Sequence, residues 1–147
     1  MAYTDLRKGR HSQPGLIYLI TTVTHHRLPI FSSLKNGRIL VKELMYLKQQ
    51  NQAETLCYVI MPDHLHWLMQ LNKGKLGEIV GGLKGRSAHA IGQKVWQENY
   101  HDHALRVDED IQKIARYIVA NPLRAKLVDR IEDYALWDAI WLKDTLG

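Results

Sequence analysis

The run Tyr58-Val-Ile-Met-Pro-Asp-His-Leu-His-Trp-Leu-Met-Gln-Leu71 constrains the fold more than any other stretch of the chain. It is apolar, and Met61-Pro62-Asp63 interrupts it. The flanks therefore read as two strands, Thr55 to Ile60 and His64 to Leu71. Strand side chains alternate with period two, so His64 and His66 share a face. Imidazole is a common metal ligand, and two of them on one rigid strand are already aligned for a divalent cation. The competing reading is two polar side chains on the wetter face of an amphipathic strand. Asp63 falls on the opposite side of a regular strand and reads as a turn residue.

The remaining elements follow from pattern and punctuation. Leu16 to Thr24 follows Pro14-Gly15, is rich in β-branched and aromatic residues, and reads as a strand. Asn36 to Gln52 has helical spacing, with Ile39, Leu40, Leu44 and Leu47 on one face. Leu76 to Gln93 reads as a helix that Gly77, Gly81, Gly82, Gly85 and Gly92 weaken. Val95 to Val107 is ambiguous, with room for a short strand. Asp108 to Asn121 reads as a helix with Ile111, Ile114, Ala115 and Ile118 on one face. This order implies an α+β fold, an antiparallel sheet carrying helices on its faces, with the histidines on a central strand.

With 147 residues, no internal repeat and no Pro/Gly/Ser-rich linker, the chain reads as one domain, 1–147. It has no apolar stretch near the ~20 residues of a membrane span. No apolar segment of secretory type opens it, and its one cysteine, Cys57, excludes an internal disulfide and a cysteine-rich zinc site. A cytoplasmic location is expected. The net charge of +5 is unevenly spread. Arg7, Lys8 and Arg10 crowd the beginning, and Lys73, Lys75, Lys84, Arg86 and Lys94 face a single acid, Glu78. Such clusters suit a phosphate-tracking surface or, equally, a solvated lysine-rich face.

Two histidines leave a metal short of ligands. On the third helix Tyr117 and Asn121 are i and i+4 and share a face, with Lys113 and Arg124 on roughly the same side. That groups a phenol, an amide oxygen able to ligate, and cations for phosphate. The alternatives are a half-buried core tyrosine, and Asn121 as an N-cap with Pro122 opening a new turn.

Several segments together resemble the single-tyrosine HUH transposases, and within them the REP-associated tyrosine transposases. They are Ser12 to Thr24, Arg27-Leu-Pro-Ile-Phe31, Val59 to His66, Trp96-Gln97, His101-Asp-His103 with Leu105-Arg106, Tyr117-Ile-Val-Ala-Asn-Pro-Leu-Arg-Ala-Lys-Leu-Val128, and Trp137-Asp-Ala-Ile-Trp141. The family often carries glycine where Lys126 stands. The second His-x-His, His101 and His103, lies in a polar run and reads as structural or DNA-proximal.

The resemblance implies a ferredoxin-like (RRM-like) HUH endonuclease fold. It also implies a metal-dependent endonuclease and strand transferase acting on single-stranded DNA, namely REP hairpins. Tyr117 would be the nucleophile and would carry a 5′-phosphotyrosine. His64, His66 and Asn121 would hold Mg²⁺ or Mn²⁺. A neutral phenol, with a pKa of ~10, is a poor nucleophile, so neighbouring positive charge would help it. Arg7, Lys8, Arg10, Lys73, Lys75, Lys84, Arg86, Lys113 and Arg124 are the candidate DNA contacts, with Trp67 or Trp96 as stacking partners for bases. The REP-associated branch is more compatible with a monomer than a dimer. The alternatives are a non-catalytic hairpin-binding protein, and a hydrolytic metal phosphodiesterase in which water attacks and Tyr117 is structural.

Overall fold

A computed structural model describes residues 13–106 and 108–140. Five strands form one antiparallel sheet in the order β4-β1-β3-β2-β5. They are β1 (Ile17–Val23), β2 (Ala53–Met61), β3 (His64–Leu71), β4 (His101–Ala104) and β5 (Trp137–Ala139). Helix α1 (Leu34–Gln49) joins β1 to β2, and α2 (Leu76–Ile91) joins β3 to β4. This is a pair of interlocked split βαβ units, the ferredoxin-like plan. A short α3 (Ile111–Val119), an α4 of one turn (Asn121–Arg124) and β5 follow, and β5 extends the sheet beside β2. The sequence-based reading of an α+β fold with an antiparallel sheet between helices agrees with this architecture.

Each face of the sheet has its own core. On one, Leu40, Leu44 and Leu47 of α1 and Leu76, Ile79, Val80 and Leu83 of α2 pack on Tyr18, Ile20, Leu65, Trp67, Met69 and Leu71. On the other, Ala115 and Ile118 of α3 pack on Leu56, Cys57, Val59, Met61 and Leu68. Both parities of β3 are thus partly covered, which is why its sequence reads as nearly continuous apolar. The bulge between Thr55 and Cys57 gives β2 an extra residue, and Leu56 and Cys57 both join the α3 side. Burial pushes the Cys57 thiol up to about 12, as befits a core cysteine.

Several boundaries differ from the sequence-based expectation, and three of them have a clear local reason. Helix α1 begins two residues early because Ser33 accepts a hydrogen bond from the Asn36 amide at 3.2 Å. Helix α3 begins only at Ile111 because Asp110 caps it, accepting from the Lys113 amide at 3.1 Å. It ends at Val119 because Pro122 has no N–H to give the Ile118 carbonyl, and Asn121 Nδ2 takes that carbonyl instead. Helix α2 survives its internal glycines because its buried stripe outweighs their propensity cost of roughly 1 kcal/mol each. Only Gly92, at φ +91, is needed conformationally, as the left-handed residue that stops it. Lys126 sits just past α4 at φ +59, which is the physical reason a glycine suits that position. Among the described residues no helix is long and apolar enough to cross a membrane.

Leu65 separates the two histidines and points to the opposite core, where it is fully buried. Leu65→Ala should cost about 2–5 kcal/mol of unfolding free energy, read as a lowered urea midpoint.

Candidate functional site

Antiparallel register builds the site. Residues paired across a ladder point to one face, so Val59, His66, Thr21 and His101 form a row across β2, β3, β1 and β4. Met61, His64 and Val23 form the next row. The two imidazoles stand edge to face with ring centres 4.8 Å apart. Each has its Nδ1 engaged by the protein. His64 Nδ1 donates to Asp63 Oδ1 at 2.7 Å, and the Thr21 hydroxyl lies 3.0 Å from His66 Nδ1. That arrangement leaves the two Nε2 atoms for other use, the usual disposition of histidines that ligate through Nε2. Burial, aided by the charges of His64 and Arg124, lowers the His66 imidazole to about 4 and keeps it neutral near pH 7.

Asp63 is the main surprise. The turn that places it off the histidine face in a regular strand lets its carboxylate swing to His64, and Arg27 Nη1 grips the other oxygen at 3.1 Å. Burial alone would raise the Asp63 carboxyl, but the bonds from His64 and Arg27 outweigh it and hold it below its ordinary value. Thr21, Asp63 and Arg27 are thus site residues that sequence reasoning missed. Period two could have flagged Thr21 as facing one side of β1, but only the β1–β3 register puts it beside His66.

Tyr117 lies on the rim, 67% exposed, with the Arg124 guanidinium 3.8 Å above its ring centre. The charge of Arg124 also bears on His66. Helices α3 and α4 both touch β2, next to the histidine strand. Asn121 does not cap a helix N-terminus. Its Nδ2 donates to the Ile118 carbonyl at 2.8 Å, fixing the amide and turning its oxygen away from that bond. Among the described residues no three His, Cys, Asp or Glu side chains cluster as a metal cage. A cation at this pair would therefore take neutral oxygen or water as further ligands, and Asn121 Oδ1 is of that type. Two imidazole nitrogens and an amide oxygen with open positions fit Mn²⁺ well and Mg²⁺ acceptably.

The candidate DNA contacts divide. Lys113 is exposed on α3, the histidine side of the sheet. Lys73 and Lys75 are exposed beyond the far end of β3, roughly 17 Å of strand from His66. Lys84 and Arg86 are on α2, across the sheet, and both are tied into the fold. The Lys84 ammonium donates to the carbonyls of Gln97, Glu98 and Asn99 at 2.6, 3.1 and 3.4 Å. Arg86 binds Glu43 at 2.6 Å and lies over the Tyr46 ring. Trp67 and Trp96 are core residues, 0% and 6% exposed, and their indoles donate to Thr55 and Ser87, so neither is open to a base. His103 pairs with Glu109 on the edge strand and not with the His64–His66 pair. Arg7, Lys8, Arg10 and Trp141 lie outside the described residues.

Two measurements test this geometry. Unfolded His66 titrates near 6.5 and folded His66 near 4, so the unfolded chain binds more protons between those values. Stability from this residue is complete above pH 6.5 and is lost as the pH falls toward 4, by on the order of 3 kcal/mol. Urea unfolding across that range should show this slope, and His66→Gln should flatten it. Lys84→Met should lower stability by roughly 1–2 kcal/mol, read as a lowered urea midpoint.

The family model described as "Transposase IS200 like" matches residues 12–121, a stretch that holds the histidine pair, Tyr117 and Asn121. A REP-associated tyrosine transposase of Escherichia coli (strain K12) is 26% identical over 100 residues, 66% of this chain. The match spans only 61% of that relative's length. A solved structure of a REP-associated tyrosine transposase bound to a REP hairpin has the same fold, with a TM-score of 0.76 at 22% identity. The likeness covers 87% of this chain and 79% of that one. The motifs read from the sequence, the five-stranded sheet and the extent of the family match agree: the chain belongs to the IS200-like transposase family.

Proposed function

We propose that this protein cleaves and rejoins single-stranded DNA at REP-type hairpins through a covalent 5′-phosphotyrosine on Tyr117. In this reading His64, His66 and Asn121 hold Mg²⁺ or Mn²⁺. The observation that carries it is Arg124, whose guanidinium stacks on the Tyr117 ring while its charge reaches His66. One cation thereby joins the candidate nucleophile to the candidate metal pair, at a place that favours a phosphate. The DNA in the solved relative is a REP hairpin, and the substrate class is carried over from it.

The chemistry balances without an external energy source. The Tyr117 oxygen attacks phosphorus and its proton passes to solvent. The P–O3′ bond breaks, and the departing oxygen takes a proton to become a 3′-hydroxyl. The phosphate remains esterified to Tyr117 and to the 5′ carbon of the downstream strand. Attack by a 3′-hydroxyl reverses the sequence, so one phosphodiester is exchanged for another. The bound cation would neutralise charge gathering on the non-bridging oxygen. Arg124 and Lys113 hold the phosphate by charge, and Arg124 fixes the tilt of the ring. The exposure of Tyr117 suits a polymeric substrate that must reach it from outside.

On denaturing gels, hairpin single-stranded DNA with Mg²⁺ or Mn²⁺ should give a protein–DNA adduct that EDTA prevents. Tyr117→Phe should abolish the adduct and change unfolding free energy by no more than about 0.5 kcal/mol, because the hydroxyl is on the rim. Metal-dependent cleavage that persists in Tyr117→Phe would mean that water attacks. Tight hairpin binding without cleavage by the unaltered protein would mean a hairpin-binding role.

A further inference from the structure

Asp63 has more attention from its surroundings than a turn residue needs. Its backbone carbonyl accepts from the Thr24 amide at 2.9 Å, and the Pro62 carbonyl accepts from Phe31 at 3.0 Å. The loop after β1 thus clamps the β2–β3 turn. In the same loop His26 and Arg27 are consecutive non-glycine residues at φ +52. The left-handed region costs such residues roughly 1–2 kcal/mol each. The Thr24 hydroxyl holds the loop in that shape by donating to the Leu28 carbonyl at 2.8 Å. The result is that Arg27 reaches one carboxylate oxygen of Asp63 while the other oxygen receives His64 Nδ1–H.

We propose that Asp63 is a positioning residue that fixes His64 in its Nδ1–H tautomer and aims Nε2 into the site, with Arg27 holding the carboxylate in place. An ionised carboxylate only accepts hydrogen bonds, so the proton between these groups must sit on Nδ1. The lone pair of His64 is then on Nε2, and the adjacent negative charge makes that nitrogen a stronger donor to a cation. His66 is treated differently, since its Nδ1 faces the neutral Thr21 hydroxyl. The two ligands of the pair are therefore unequal, and His64 is the more electron-rich. Local strain at His26 and Arg27 is explained as the cost of bringing a guanidinium to Asp63 from the neighbouring loop.

This inference rests on the metal reading above only for its consequence, because the tautomer can be measured without metal. Long-range ¹H–¹⁵N spectra of the metal-free protein should show His64 as the Nδ1–H form. Asp63→Ala should redistribute the tautomers, and Mn²⁺ titration followed by calorimetry should show affinity falling about 10–100-fold. Asp63→Asn has one acceptor oxygen, which Arg27 claims, and it turns an amide N–H toward His64 Nδ1, so it should move His64 toward the Nε2–H form and lower affinity as the alanine variant does. It also serves as the variant of record if the alanine form does not fold. An unchanged tautomer with unchanged Mn²⁺ affinity in folded Asp63→Ala would overturn the proposal, as would a His64 that is Nε2–H in the unaltered protein. Absence of Mn²⁺ binding by the unaltered protein, with a tautomer that still follows Asp63, would defeat the metal reading and leave the positioning role standing.

Discussion

The pairing of β1 with β3 is the contact on which the rest depends. It puts Thr21 against His66 and Val23 against His64, so the histidine pair gains its neighbours from a strand more than forty positions earlier in the chain. The same ladder places Ile20 against Trp67 and Thr22 against Leu65 on the opposite face, where the larger core lies. A one-residue slip would move both imidazoles into that core and expose Leu65 and Trp67. Burial of Leu65 and Trp67 therefore sets the register, and the register sets the site. The candidate site and the larger core lie on opposite faces of one strand.

Charge is partitioned along the same division. The cations on α2 are spent on holding the fold together. Lys84 satisfies the carbonyls of Gln97, Glu98 and Asn99 in an irregular segment, and Arg86 links α2 to Glu43 of α1. On the histidine side, Arg27 reaches His64 through Asp63 from the loop after β1, and Arg124 of α4 stacks on Tyr117 while its charge bears on His66. Tertiary contacts thus bring positive charge beside the histidine pair. His66 stays neutral because it is buried, with the charges of His64 and Arg124 nearby, and neutrality is what a nitrogen ligand requires.

Much of the fold is legible in the sequence because period and punctuation are local. The strands around His64-Leu65-His66, the apolar stripes of α1 and α3, and the break at Asn121-Pro122 all declare themselves within a dozen residues. What is less legible is set by partners. The glycines of α2 argue against a helix until its buried stripe meets the sheet. Trp137 to Ala139 gains its strand character only by pairing with β2, since three residues carry no usable pattern of their own. Trp67 and Trp96 resemble nucleic-acid stacking residues by type, and only their burial removes them from that role.

The sequence by itself determined which chemistry the chain could hold: two imidazoles on one strand face, and a phenol four residues before an amide near the end of a helix. Those are relations between near neighbours, governed by the geometry of a strand or a helix. Tertiary structure alone decided what surrounds them. Asp63 sits next to His64 in sequence and still reads as a turn residue, because its contact depends on how the turn bends and on Arg27 arriving from a strained loop. Arg124 stacks on Tyr117 and bears on His66 only because α4 folds back beside β2. Hydrogen bonds and Coulomb interactions act over a few ångströms of space, irrespective of separation along the chain, so the groups that tune a site emerge only when the sheet has closed.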